Sequence, residues 1–298
     1  MQNGLSRKHY TDMFRPLNKN SRAYARLILG LYVAAILLSI VIGQTFLEMG
    51  GIAAYCAVGL LMLFIGTRLR GLNNIIHECT HRSFAVERDD NVTFGRTAAA
   101  LVFNTFEAYQ KEHVSHHINR GNYELDLDFH HRKGFRIEEK LSPLVIARHI
   151  LTPILGLHLY RYCRPNFSAA DGRIYQLLKF AIVICALTFA VFNPLAAFLL
   201  VFLPYAWIYT AINYWTDCID HGGILTESEE IDAARNFIVP KPLRLVLFPR
   251  NNCYHLLHHL YPSVPSQHFD HCHELLLLDP AYSEVHGRET RAACEMTG

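Results

Sequence analysis

The chain lacks the cysteine patterns that hold a cofactor or cross-link a secreted fold. Its eight cysteines are scattered and include no CxxC pair, which argues against a disulfide framework and indicates a reducing compartment. The sequence also has no four-cysteine iron–sulfur spacing, no Rossmann glycine fingerprint and no evident haem segment. The sequence therefore predicts neither a protein-bound cluster nor a dinucleotide nor haem.

Four long stretches of the chain contain almost no charged residues. The formal net charge is only +2 and gives no sign of a nucleic-acid partner. Residues 27–46, 50–67, 174–192 and 195–215 contain Lys179 as their one charged residue. An apolar helix of about twenty residues crosses a hydrocarbon core of about 30 Å. The sequence therefore predicts four transmembrane helices, with a kink at Pro204 in the fourth.

The basic residues that precede the first span predict how the chain is oriented. Six lysines and arginines lie before it, whereas the short turn after it contains only Glu48. The positive-inside rule then places both termini in the cytoplasm, and a polar segment this long does not resemble a cleavable signal. We expect two helical hairpins, the second turning at Asn193 and Pro194. The whole chain, 1–298, is predicted to be one domain with a polar tail over 1–21.

Histidines are concentrated in three short clusters. Eight of the 18 histidines lie in HECTH at 77–81, HVSHH at 113–117 and HLLHH at 255–259. Their spacings of three and four residues put imidazoles on one face of a helix. Imidazole is a good ligand for iron, copper, zinc and nickel, and eight such groups are too many for one ion. The clusters therefore predict a site for two metal ions on the cytoplasmic side.

In this order, and threaded between apolar spans, the clusters resemble the histidine boxes of the membrane fatty acid desaturase and hydroxylase superfamily. The resemblance covers about residues 73–265. It implies an all-α integral membrane fold in which a cytoplasmic helical cap holds a histidine-rich site for two metals. It also implies a further histidine near the end of the fourth span. That role falls on His221, which lies about 9 Å beyond the predicted membrane end of the helix.

Other polar residues are candidates to support the ligands. Acidic residues commonly follow the second box in the superfamily, so Asp126 and Asp128 could orient ligand histidines, and a solvated acidic loop is the alternative. Asp217 lies one turn before His221 on the same face and could accept from a ligand or hold a water. Relatives often have asparagine where this chain has Cys253, which leaves Asn251 or Asn252 as a polar contact.

The ligand number favours iron over zinc. The predicted ligands are His77, His81, His113, His116, His117, His221, His255, His258 and His259. Structural zinc takes four ligands in a closed site, whereas six-coordinate iron with four or five imidazoles keeps positions open for dioxygen. The resemblance implies that two reduced iron ions activate O2 and remove hydrogen from an unactivated carbon. Electrons would come from a separate ferredoxin, rubredoxin or cytochrome.

Three functions are compatible with the sequence. The boxes resemble those of acyl-lipid desaturases, which favours an O2-dependent desaturase that introduces a double bond into an acyl chain or lipid-like substrate. A membrane hydroxylase or ketolase that acts on a lipid, carotenoid, alkane or small natural-product precursor is the second function. A histidine-rich metal carrier without turnover is the third, although a carrier is expected to place its ligands within the spans.

The segments around the boxes carry further expectations. The second span is predicted to continue as a helix to His77, about 15 Å past the membrane face. Residues 94–109 are expected to form one apolar helix, and 141–162 a helix at the headgroup level. Three cysteines near the boxes are expected to be packing residues, namely Cys79, Cys218 and Cys253. Five histidines of the loops and tail are expected to lie outside the metal site, namely His130, His131, His268, His271 and His273.

Overall fold

The computed structural model describes residues 6–287, and over this range the chain forms helices and loops but no β-strand. Two isolated β-bridges join Asn20 to Ala85 and Asn236 to Tyr254. The all-helical class predicted from the sequence is confirmed for the described residues.

The helices follow one another in the following order. They are α1 (Arg7–Phe14), α2 (Arg22–Met49), α3 (Ile52–Thr80), α4 (Arg88–Leu101), α5 (Phe106–Asn119), α6 (Pro143–Ile154), α7 (Leu159–Tyr162), α8 (Arg173–Phe192), α9 (Pro194–His221), α10 (Lys241–Leu247), α11 (His255–Leu260) and α12 (Phe269–Leu276). Residues 280–287 are also helical. Short 3₁₀ turns lie at His130–Phe135, Glu230–Asp232, Pro249–Asn251 and Ser266–His268.

Four of these helices, α2, α3, α8 and α9, are long and apolar enough to cross a membrane. They correspond to the four predicted spans. Their outer faces expose large apolar side chains such as Leu38, Leu60 and Val191, which lipid would cover. As predicted, α3 is one unbroken helix that carries His77 well past the apolar stretch. The two-hairpin arrangement and the cytoplasmic position of the cap stay predictions.

Close helix approaches at glycine hold the long helices together. A Cβ atom at Gly66 of α3 would lie 2.4 Å from Ile208 Cγ2, and one at Gly43 of α2 would lie 2.6 Å from Leu200 Cδ2. Only a hydrogen atom fits at these crossings with α9. Both contacts fall on π-helical segments of α9, Phe198–Phe202 and Pro204–Tyr209. The disturbance expected at Pro204, which lacks a backbone donor, thus takes the form of a widened helix.

Two segments predicted as single helices are each broken, so those predictions were wrong. The 94–109 segment divides between α4 and α5, because Phe103 adopts a left-handed φ of 54° and the Asn104 side chain accepts the backbone N–H of Thr105 at 2.8 Å. The 141–162 segment divides between α6 and α7, because Gly156 has a φ of 73°. The first break turns α5, and with it the second histidine box, away from α4.

The predicted polar tail is partly structured. Tyr10 and Phe14 lie on one face of α1 and are buried. Both rings pack against Tyr261, at centroid distances of 6.4 and 5.2 Å. This helix of the predicted polar tail packs beside the third histidine box. Residues 1–5 of the tail lie outside the described range.

Candidate metal centre

Four helices bring the nine predicted histidines together. His77 lies near the end of α3 and His81 is its C-terminal cap residue. The second box lies in α5 and the third forms most of α11. His221 is the last residue of α9, just before the Gly222 cap. Because the second and third boxes are helical, the two histidines four residues apart in each of them project from one side of their helix.

The nine imidazoles form two groups, and within each group the ligand nitrogens all lie within 4.8 Å of one another. The first group is His77, His81, His113, His117 and His258, and the second group is His116, His221, His255 and His259. In each box the two histidines four residues apart join the same group. The remaining histidine of each HxxHH box joins the other group, so the second and third boxes each contribute to both.

The arrangement of ring nitrogens in the second group fits a cation. His221 donates from Nδ1 to the carbonyl oxygen of Ala233 at 2.9 Å, so Nε2 of the neutral ring carries a lone pair. His116 similarly donates from Nδ1 to Asp126 at 2.8 Å. The two Nε2 atoms nevertheless face each other at 3.2 Å, and His255 Nε2 lies 2.9 Å from that of His221. Lone pairs that converge in this way repel each other unless a positive ion lies between them, so the residues present fit a metal ion.

The first group has the same character. His117 Nε2 lies 3.1 Å from both His113 Nε2 and His258 Nε2. The buried His81 Nε2 has no hydrogen-bond partner among the described residues. Burial, together with repulsion from neighbouring imidazoles, holds the pKa of His81 and His258 well below the usual value for histidine. The rings are therefore neutral, which is the form that binds metal.

A cavity of about 470 Å³ opens onto these groups. Its wall includes five of the nine histidines: His77, His113, His116, His221 and His255. The rest of the wall comes from α3, α5, α7, α9, the loops that follow α4, α5 and α7, and the segment that precedes α11. A molecule in this cavity would contact imidazoles of both groups.

The chain matches the fatty acid desaturase family over residues 53–289. This range contains α8, α9 and nearly all of α3, together with all nine histidines. The chain belongs to the fatty acid desaturase family. It is also 27% identical over 244 residues to the dihydrorhizobitoxine desaturase of Bradyrhizobium elkanii, in an alignment that covers 76% of this chain and 69% of that protein. Family membership and four apolar helices make it a membrane protein and an oxidoreductase of the desaturase type.

One acidic residue of this desaturase family member orients a ligand histidine by a hydrogen bond, and two more acidic residues lie near ligand histidines. Asp126 is fully buried, and besides His116 it accepts the backbone N–H groups of Asp128 and Phe129, each at 3.1 Å. Asp128 lies 3.8 Å from His113 Nδ1, too far for a hydrogen bond. Asp220, which the sequence analysis missed, lies 3.3 Å from His255 Nδ1 and is buried. Its position directly before His221 was the signal that could have revealed it.

The other proposed supporting residues of the desaturase contact no ligand histidine. Asp217 accepts from Arg132 at 2.8 Å and from the Tyr162 hydroxyl at 2.6 Å. Asn252 accepts from Arg70 at 3.4 Å, and both Asp217 and Asn252 line the cavity. Asn251 instead donates to the carbonyl oxygen of Ser266 at 2.8 Å. The structure therefore places Asp217 and Asn252 where a bound molecule could reach them.

A buried ion pair joins the first and third boxes. Glu78, inside HECTH, accepts two hydrogen bonds from Arg250, both of 2.7 Å, and one from the Ser266 hydroxyl at 2.9 Å. Asn74 adds a hydrogen bond to the carbonyl oxygen of Pro249 at 2.7 Å. The end of α3 thus fixes the segment that leads into α11. Sequence reasoning did not single out Glu78 or Arg250.

Among residues 6–287, the other histidines and the cysteines lie outside both groups of this desaturase. His130 is exposed and contacts the Tyr123 carbonyl oxygen, whereas His131 lines the cavity. His273 is buried against Tyr282. Glu230 lies near His117 and His259, but it is already paired with Arg7.

Proposed function

We propose that this chain is an O2-dependent desaturase whose nine histidines hold two iron ions. The overall reaction converts a –CH2–CH2– unit, O2, two electrons and two protons to a –CH=CH– unit and two waters. The observation that carries the proposal is the convergence of the imidazoles into one group of five and one of four. Ligand sets of this size leave room for O2 on six-coordinate iron, unlike a closed four-ligand zinc site.

Iron in these groups would supply the activation of O2 and the removal of hydrogen from an unactivated carbon. The chain's own residues hold the ligands in place. Asp126 and the Ala233 carbonyl oxygen keep His116 and His221 in the tautomer that presents Nε2. Burial keeps the imidazoles neutral and limits the access of water. The two electrons come from a separate ferredoxin, rubredoxin or cytochrome.

The topology of the proposed enzyme follows from the sequence. We propose one desaturase-like domain with α2–α3 and α8–α9 as two hairpins, and with the termini and metal site on the cytoplasmic side. An electron donor of the cytoplasm would then reach the site. An acyl chain or lipid-like substrate is the prediction from the sequence and the family.

Desaturation is preferred to hydroxylation because the relative from Bradyrhizobium elkanii is named a desaturase. A hydroxylase or ketolase with the same metal site is the second candidate. A metal carrier is disfavoured, because the groups lie at or beyond the ends of α3 and α9 and not in their middles. Mass spectrometry of products distinguishes the first two, since a desaturase removes two hydrogens and a hydroxylase adds one oxygen.

The test uses the purified protein in lipid, with O2 and a ferredoxin–reductase system. His116→Ala and His258→Ala should each abolish turnover. His116 is the histidine that the second box contributes to the second group, and His258 is the histidine that the third box contributes to the first group. His130→Ala is the matched control, since this exposed histidine lies in neither group. Full activity in either ligand variant, or a protein that binds no iron, would contradict the proposal.

A further inference from the structure

The cavity that reaches the metal centre is lined by eight charged and five amide side chains, beside six histidines and seven tyrosines and phenylalanines. Arg70 lies on its wall, where the guanidinium donates to Asn213 at 2.9 Å and to Asn252 at 3.4 Å. The Arg70 Nε atom is buried and has no hydrogen-bond partner among the described residues. Arg70 precedes His77 by two helical turns, or about 10 Å along α3. Polar groups therefore continue into the part of the cavity that borders the metal ligands.

Most acids of this wall already have partners. Arg132 pairs with Asp128 at 2.7 Å and with Asp217 at 2.8 Å, and Asp220 faces His255. Four charged side chains of the wall form no ion pair among the described residues, namely Arg70, Arg161, Arg164 and Glu112. A charged wall with unmatched groups of both signs is suited to a ligand that carries both charges.

The unmatched groups at the cavity mouth have opposite signs. Arg161 lies in α7 and Arg164 lies two residues beyond its end, and both are exposed, whereas Glu112 of α5 is half-buried. Asp128 lies near enough to Glu112 to oppose its charge, and Arg132, Arg164 and Lys111 lie near enough to favour it, yet none of these cations pairs with Glu112 directly. An ammonium group beside Glu112 would relieve its repulsion from Asp128, and a carboxylate beside the two arginines would neutralise them.

We propose that the substrate of this desaturase is a small, water-soluble zwitterion with a carboxylate and an ammonium group. The proposal rests on the proposed desaturase function and replaces the acyl or lipid-like substrate that the sequence and the family imply. The carboxylate lies against Arg161 and Arg164, and the ammonium lies against Glu112. The volume of about 470 Å³ suits a small molecule. Val102, Phe103 and Phe167 supply a short apolar part of the wall.

A long acyl chain fits this wall poorly. It would displace water from guanidinium, carboxylate and amide groups without replacing their hydrogen bonds, and such desolvation is unfavourable. A zwitterion replaces those hydrogen bonds with charge-assisted ones. The acyl substrate predicted from the sequence is thus the competing outcome of the test.

The test measures binding without turnover, by calorimetry on the purified protein in nanodiscs with no electron donor. The probes are L-norvaline and L-norleucine, the matched carboxylates pentanoate and hexanoate, the matched amines pentylamine and hexylamine, and palmitate. Glu112→Gln should weaken an amino acid and its amine about ten-fold but leave its carboxylate unchanged. The double variant Arg161→Gln, Arg164→Gln should weaken the amino acid and the carboxylate but leave the amine unchanged.

The proposal is supported if an amino acid binds more tightly than both matched probes and shows this charge-specific pattern. It is overturned if no amino acid binds at up to about 10 mM, above the usual range of KM, if the variants bind like wild type, or if palmitate binds more tightly than every amino acid. Because no turnover is required, a failure to oxidise any substrate or to bind iron would count against the desaturase function and leave the binding result unaffected.

Discussion

Asp126→Asn should weaken iron binding at the second group alone. The asparagine oxygen can still accept the backbone N–H groups of Asp128 and Phe129, which Asp126 Oδ1 accepts at 3.1 Å. Its NH2 group, however, would face His116 Nδ1 in place of the carboxylate oxygen at 2.8 Å. His116 then has to accept at Nδ1 and carry its proton on Nε2, which removes the lone pair that faces His221. The second group keeps three imidazoles of its four.

The expected loss is about 10- to 100-fold in iron affinity at that group, the usual effect of removing a carboxylate that orients a ligand histidine. It corresponds to about 1.4–2.7 kcal/mol. Iron would be titrated from a metal buffer into the purified protein, and the bound iron per chain and the turnover rate would be measured. In the wild-type protein, iron should bind to both groups at the same free iron concentration. In the variant, iron should bind to the first group at that concentration and to the second group only at a higher one.

Asp89→Asn is the matched control, because Asp89 is an exposed residue of α4 that contacts no histidine. Its iron titration should equal that of wild type. Two results would refute the reasoning. Unchanged iron affinity in Asp126→Asn would mean that Asp126 does not set the tautomer of His116, and equal loss of both ions would mean that the histidines do not divide into two groups.

Three further changes test the packing and the charges. Gly66→Ala should destabilise the fold by about 1–3 kcal/mol, because the new Cβ would lie 2.4 Å from a side chain of α9. Gly59→Ala on the same helix is the control and should be neutral, because its Cβ meets nothing within 4 Å. Thermal unfolding in detergent measures the stability of both variants. Arg250→Met leaves Glu78 buried without a cation and should cost about 3–5 kcal/mol, most of it restored when Glu78 becomes Leu in the same chain. Burial lowers the pKa of His273 to about 4, below its unfolded value of about 6.5, so stability should fall by up to about 3 kcal/mol as pH drops from 6.5 to 4, and His273→Gln should remove that part of the pH dependence.

Features with a strong local signal could be predicted from the sequence. The four spans are long runs without charge, and length alone decides that such runs can cross a membrane. The three boxes have helical spacing, so the convergence of their histidines followed once helices were assumed. His221 was assigned through the resemblance, which implies a further histidine near the end of the fourth span. The spans and the individual boxes are recognised from residues that are close together in the chain.

Features that depend on distant residues could not be predicted in the same way. Glu78 and Arg250 are 172 positions apart, and nothing near either residue in the sequence indicates the pairing. The break at Phe103 depends on a left-handed backbone conformation that apolar patterning does not reveal. The charged wall of the cavity comes from five separate segments. Its composition becomes visible only after the helices are packed.

The division of the histidines between two groups follows from the adjacent pair in each HxxHH box. Successive residues of an α-helix are rotated by about 100°, so His116 and His117 diverge, as do His258 and His259. Adjacent histidines on one helix therefore point in different directions, and in both boxes they belong to different groups. HECTH has no adjacent pair and contributes only to the first group. The helical backbone therefore fixes the separation of the two groups. Two imidazoles on neighbouring residues cannot move further apart unless α5 or α11 unwinds.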